Sequence, residues 1–162
     1  MKKLKIYLDT SVVSHLDAPD TPDKQEDTSK LWGAIRAGEY DVYISPVVMV
    51  ELDGCPEPKR STLLLLLAEI EYTELPETDE VLHLASKYLD ASILPKRSNL
   101  DRQHIAYACV YSCDMLVSWN FKHLVNYKTI SGVKGVNALA GYREMPIYTP
   151  TMLITGGADD DI

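Results

Sequence analysis

The stretch Leu4-Lys5-Ile6-Tyr7-Leu8-Asp9-Thr10-Ser11 places a short apolar run directly before three side chains that cap helices well. This order predicts a buried β-strand over residues 4–8 and a helix that begins at its carboxyl end. The same order recurs as Val42-Tyr43-Ile44 before Ser45-Pro46, and as Met115-Leu116-Val117-Ser118 before Trp119-Asn120. Strands that alternate with helices predict an α/β fold around a mostly parallel sheet of about five short strands.

The remaining segments complete this alternation. Prolines and acidic residues between Asp17 and Asp27 predict a solvated loop that leads into a helix over residues 29–37, which Gly38 ends. Ser98 and Asp101 have the spacing of a capping box and predict the start of another helix. Further helices are predicted over residues 46–51, 59–70, 77–90 and 128–139, and short strands over residues 71–74 and 147–149.

Length and composition predict one soluble domain. The chain has 162 residues, of which 46% are hydrophobic and 25% charged, and this balance excludes a disordered or collagen-like protein. We expect a single domain over residues 1–154 and a flexible acidic tail over residues 155–162. The longest leucine run, residues 63–67, is far shorter than a membrane span. Charges interrupt the N-terminal apolar run before a signal sequence can form, so we expect a cytoplasmic protein without a membrane partner.

Four oxygen-bearing side chains lie where a parallel sheet binds ligands, beyond the carboxyl ends of its strands. Asp9 follows the first strand, Glu51 lies on the helix after the second, and Asp101 is in the first turn of a later helix. Asn120 follows the strand at residues 115–118. Clustered carboxylates raise one another's pKa unless a cation lies among them, and an all-oxygen set suits Mg²⁺ or Mn²⁺. The four residues are therefore the candidate catalytic and metal-binding groups.

Each acidic residue of this set also has an ordinary structural interpretation. Asp9 can cap the next helix, Asp101 can complete a capping box, and Glu51 can lie on a helix surface. The apolar run at residues 47–50 favours function for Glu51, because an unpaired carboxylate on a buried turn is costly. Asp114 is a competing fourth acid, but it precedes its strand and is the weaker candidate.

Four short motifs are distributed over most of the chain, in this order: residues 7–11, 45–52, 101–108 and 116–121. Together they resemble the PIN domain nucleases, the fold of ribonuclease toxins such as VapC. The resemblance implies a three-layer fold and a metal-dependent ribonuclease that hydrolyses phosphodiester bonds of single-stranded RNA, leaving a 5′-phosphate. It implies that Asp9, Glu51 and Asp101 bind Mg²⁺ or Mn²⁺. Asn120 stands where many relatives have Asp and others Asn, which weakens any second metal site.

The same resemblance implies partners. They are RNA, a cognate antitoxin protein of a type II toxin–antitoxin pair, and a second copy of the chain in a homodimer.

Several neighbouring residues are predicted to support this site. Thr10, Ser11 and Ser118 would hold the carboxylates by hydrogen bonds, with ordinary capping and strand-end bonding as the alternative. His104 either orients a phosphate or serves as an acid, but a packed, hydrogen-bonded histidine is favoured. Trp119 either stacks on a base or belongs to the core or its rim, and a place in the core or its rim is favoured.

Charge is unevenly distributed along the chain, so the net charge alone does not exclude a nucleic-acid partner. The chain carries 24 acidic and 16 basic side chains, a net charge of −8, which by itself argues against nucleic acid. Between residues 95 and 143, however, seven Lys and Arg residues face two Asp residues, a net charge of +5. In this basic half, Arg97, Arg102 and Lys122 are predicted to contact RNA phosphates.

Two other functions remain open. Asp9 after a first strand is where an aspartyl-nucleophile phosphohydrolase has its nucleophile, but that chemistry wants a second acid at the position of Ser11. The other alternative is a catalytically weak or inactive PIN-fold module that binds RNA or protein.

Overall fold

Five strands form one parallel sheet at the centre of the molecule: β1 (Leu4–Leu8), β2 (Tyr40–Ile44), β3 (Thr73–Glu74), β4 (Met115–Val117) and β5 (Ile147–Tyr148). Their order across the sheet is β3-β2-β1-β4-β5, so β1 is the central strand. The computed structural model describes residues 2–154. The predicted acidic tail at residues 155–162 lies outside the described residues. The α/β fold with a five-stranded parallel sheet is confirmed.

Helices connect the strands and cover both faces of the sheet: α1 (Thr10–Ser14), α2 (Pro22–Arg36), α3 (Pro46–Asp53), α4 (Lys59–Leu67), α5 (Asp79–Asp90), α6 (Asn99–Val110), α7 (Tyr127–Ala140) and α8 (Pro150–Ile154). A short 3-10 helix (His15–Asp17) follows α1. No helix of the described residues has the length and apolar character to cross a membrane.

Alternate side chains of the central strand enter two separate apolar cores. Ile6 and Leu8 pack with helices α1 to α4 on one face of the sheet. Tyr7 points to the other face and packs with α5, α6 and α7. This alternation follows from the two-residue period of a strand, and it produces the predicted three layers.

The segment before Thr28 differs from its predicted form. Residues 17–27 were expected to be a solvated loop, but α2 already begins at Pro22. Proline fits the first helical position, because the missing N–H would have no partner there, and Asp23 in the first turn complements the helix dipole. The prolines and acids therefore mark the start of a helix.

The predicted capping box at Ser98 and Asp101 does not form. Helix α6 does begin at Asn99, but the Ser98 side chain makes no capping hydrogen bond. Its backbone lies at φ −89° and ψ 37°, outside the extended conformation in which a serine hydroxyl reaches the first turn. Asp101 is thereby left available for contacts outside its own helix.

Alanine substitutions at the two glycines that flank the end of α2 should change the free energy of unfolding in opposite directions. Gly33 lies inside α2 with open space around the position of a Cβ, whereas Gly38 has a left-handed backbone at φ +82°. Gly33→Ala should raise the free energy of unfolding by about 1 kcal/mol. Gly38→Ala should lower it by about 1–2 kcal/mol. Urea unfolding of the two variants checks this, and equal shifts would contradict the assigned end of the helix.

Candidate active site

The candidate site lies at the carboxyl edge of the sheet, where β1 and β4 end side by side. Leu8 pairs with Val117 in parallel register, and the backbone N–H of Asp9 donates to the Val117 carbonyl at 3.2 Å. The residues that follow these strands, Asp9 and Ser118, therefore meet. Helix α3 follows the other neighbour of β1 and brings Glu51 to the same edge.

Asp9 is a buried carboxylate held by hydroxyl groups. Its side chain is 3% exposed, and it accepts hydrogen bonds from the Ser11 hydroxyl at 2.6 Å and the Ser118 hydroxyl at 2.5 Å. It also caps α1 through the Val12 N–H. Burial raises the pKa of Asp9 above its ordinary value, against the opposing effects of His104 and the two hydroxyls. No described Lys, Arg or His forms an ion pair with Asp9, and His104 acts on its charge without direct contact.

Glu51 forms a pair with a buried histidine. Its Oε1 accepts from the Thr10 hydroxyl and lies 2.7 Å from His104 Nε2. Burial favours a raised pKa, but the hydrogen bond and charge of His104, with the Thr10 hydroxyl, outweigh it and lower the pKa of Glu51. Glu51 therefore stays ionised more readily than Asp9, because a donor compensates its charge.

The histidine of this pair is fixed from the sheet. The Tyr7 hydroxyl lies 2.7 Å from His104 Nδ1 and 2.7 Å from the Ser45 hydroxyl, which caps α3. Both ring nitrogens of His104 are thus engaged, and the residue is 1% exposed. His104 is a packed, hydrogen-bonded residue that orients Glu51.

A second carboxylate–histidine pair lies in a small cleft beside Glu51. Asp101 Oδ2 lies 2.9 Å from His123 Nδ1. The cleft has a volume of about 260 Å³, and its lining includes Glu51, Asp101 and His123, with Arg97 at its side. Sequence reasoning did not identify His123. The available signal was its place three residues after Asn120, the spacing at which a capping Asn side chain accepts from a backbone N–H.

Asn120 makes that bond. Its side-chain oxygen accepts from the His123 N–H at 2.9 Å, and its own N–H donates to the Ser118 hydroxyl. The residue therefore positions the start of the turn that carries His123. Thr10, Ser11 and Ser118, the three hydroxyls predicted to support the carboxylates, each donate to Asp9 or Glu51.

The donor chemistry of these residues suits a hard divalent cation. Glu51 Oε2 and Asp101 Oδ1 accept no hydrogen bond from a described residue, and the buried Asp9 forms no ion pair with one. In residues 2–154, however, no three His, Cys, Asp or Glu side chains are close enough together to form a metal cluster. The side chains thus provide oxygen ligands and their supporting hydrogen bonds, and a bound cation would have to draw Asp9 together with Glu51 and Asp101.

Two of the sequence-based candidates lie elsewhere. Asp114 is at the amino end of β4, where it accepts from the Lys5 N–H at 2.8 Å, so it is on the opposite edge of the sheet. Arg102 was predicted to bind phosphate, but it is 1% exposed. Its guanidinium donates to the carbonyls of Ile93, Pro95 and Lys96. The prediction for Arg102 is therefore wrong, and this residue holds the loop before α6.

The remaining candidates differ in their exposure to solvent. Arg97 and Lys122 are exposed and lie near the cleft or its neighbouring surface. Trp119 is 6% exposed and donates to the Thr28 hydroxyl, so it belongs to the core, as favoured from the sequence.

The solved structures that are similar to this chain include the following two. VapBC2 from Rickettsia felis, bound to a DNA fragment from its promoter, aligns with a TM-score of 0.55 and 13% identity over 90% of this chain and 98% of that chain. VapC20 from Mycobacterium tuberculosis, a toxin that cleaves the Sarcin-Ricin loop, aligns with a TM-score of 0.57 and 15% identity over 87% of this chain and 98% of that chain. No protein-family model and no curated protein matches the sequence. The similarities confirm the fold that the resemblance to PIN domains predicted.

The corrected role of Arg102 can be tested against its exposed neighbour. Arg102→Met removes the donors to three loop carbonyls and should lower the free energy of unfolding by roughly 1–3 kcal/mol. Arg97→Met changes an exposed side chain and should shift it by less than about 0.5 kcal/mol. Chemical denaturation measures both, and a larger loss for Arg97→Met would contradict the assignment.

Proposed function

We propose that this protein is a Mg²⁺- or Mn²⁺-dependent ribonuclease that hydrolyses phosphodiester bonds of single-stranded RNA. The observation that carries the proposal is the buried Asp9 carboxylate, which has no ion pair with a described residue and lies at the sheet edge that also receives Glu51. A buried anion of this kind is stabilised by a cation. The fold shared with two VapC proteins gives this edge its functional context.

The residues divide the work between binding and positioning. Asp9, Glu51 and Asp101 are the proposed ligands, with Asn120 as a neutral fourth. A divalent ion bound there supplies an acidic water and offsets charge that develops on the phosphate. Ser11 and Ser118 orient Asp9, Thr10 and His104 orient Glu51, and His123 orients Asp101. Arg97 and Lys122 are placed to attract the RNA backbone. Water attacks phosphorus and the P–O3′ bond breaks, which leaves a 5′-phosphate and a 3′-hydroxyl.

The biological setting follows from the same proposal. A ribonuclease of this fold serves as the toxin of a type II toxin–antitoxin pair, held inactive by a cognate antitoxin protein, and acts as a homodimer in the cytoplasm. Support comes from the two similar structures, one a VapBC2 structure and the other a toxin. Growth arrest on expression of the chain, reversed by co-expression of a small protein encoded beside it, tests this part.

Replacing Asp9 should separate activity from stability. Asp9→Asn keeps the shape but removes the buried charge, so cleavage of single-stranded RNA with Mn²⁺ should fall at least about 100-fold. The thermal midpoint should stay equal or rise, because the buried charge itself is unfavourable.

Asp114→Asn is the matched control, since Asp114 lies on the opposite edge of the sheet. It should cleave like the unaltered protein. Cleavage that survives both EDTA and Asp9→Asn would refute the proposal.

Metal binding can be measured without RNA. Mn²⁺ at 100 times its dissociation constant should stabilise the fold by about 2.7 kcal/mol, seen as a higher thermal midpoint. Asp9→Asn should abolish that increase. No increase in the unaltered protein, together with retained RNA binding, would favour the inactive binding module instead.

A further inference from the structure

A second groove adjoins the candidate active site. It has a volume of about 650 Å³, within the range of about 300–1,000 Å³ of small-molecule sites. One wall is the loop at residues 91–95, and the other carries Lys122, His123, Asn126 and Lys128. His123 also lines the cleft with Glu51 and Asp101. The groove and the cleft therefore share a wall.

The buried Arg102 side chain holds the loop wall of the groove in place. The Arg102 guanidinium donates to the Pro95 carbonyl at 2.7 Å and the Lys96 carbonyl at 2.9 Å. Within this loop Leu94 has a left-handed backbone at φ 71°, a conformation that is uncommon for a bulky residue. It is not at a helix end, in contrast to Ser92, which follows the last turn of α5. The wall is thus preformed, at a cost in local backbone energy.

The two walls differ in chemistry. Lys122 and Lys128 are exposed, and neither forms an ion pair with a described residue. The opposite wall includes the apolar residues Leu94, which is half-buried, and Pro95, which is exposed, together with Ile93, which is buried in the apolar core. Cations facing an apolar surface match a nucleotide, whose phosphate is anionic and whose base has an apolar face.

We propose that this groove binds the nucleotide adjacent to the scissile bond of single-stranded RNA. Lys122 and Lys128 contact its phosphate, and its base lies against Leu94 and Pro95. The proposal rests on the proposed ribonuclease function and extends it, because only an unpaired base can reach the apolar wall. The groove thereby selects single strands over duplexes.

The phosphate contacts are tested by equilibrium binding of a fluorescent oligouridine in EDTA, which prevents metal-dependent cleavage. The Lys122→Ala/Lys128→Ala double variant should bind roughly tenfold more weakly. Its plot of log affinity against log salt should be shallower by about 0.7, since each phosphate neutralised on a single strand contributes about 0.7. Lys134→Ala is the control, because Lys134 lies on α7 with Lys128 but pairs with Glu144 at 3.8 Å. Equal affinity and slope in the double variant and the control would overturn the proposal.

The base contact is tested with Leu94→Gly and a matched abasic oligonucleotide. Glycine accepts the left-handed backbone, but Leu94 also packs against the apolar core, so the thermal midpoint of the variant is measured beside its binding. The unaltered protein should prefer the oligouridine over the abasic strand and over a duplex, and Leu94→Gly should lose the preference over the abasic strand. Equal binding of duplex and single strand by the unaltered protein would overturn the groove proposal.

These measurements do not depend on cleavage. If Asp9→Asn still cleaves RNA but the lysine variants lose binding, the proposed catalytic site fails and the groove stands.

Discussion

The hydroxyl of Tyr7 is the contact on which the arrangement of the site depends. It joins the central strand to the cap of α3 through Ser45 and to α6 through His104. His104 in turn bonds Glu51, which lies on α3. One buried chain of hydrogen bonds therefore sets the sheet and two helices relative to one another. Because every member is buried or partly buried, breaking a single link leaves a polar group without a partner, so each bond stabilises the others.

The sequence predicted the strands and the residues at their ends well, because both depend on local patterns. Apolar runs ending in Asp9, in Ser45-Pro46 and in Trp119-Asn120 each mark the end of a strand. Local patterns do not predict which residues pair across the site. Asp101 and His123, for example, meet only because the turn after β4 packs against α6. The start of α2 at Pro22 was missed because prolines and acids suit both a loop and a first helical turn.

Arg97 and Arg102 show why charge in a sequence does not map directly onto charge at a surface. Five residues apart, one is exposed beside the cleft and the other is buried against three carbonyl groups. No side-chain property distinguishes them, and only the path of the loop at residues 93–97 does. The net charge of −8 likewise averages over the whole chain and does not describe the charge of any one surface.

The outer strands of the sheet are each two residues long. Pro76 follows β3, and Pro146 and Pro150 flank β5, where a proline cannot donate to an added strand. An incoming chain would gain few backbone hydrogen bonds at either border, so the fold resists edge-to-edge aggregation and amyloid-like stacking. Exposed apolar side chains lie instead on helical surfaces, such as Leu65 on α4 and Leu139 on α7.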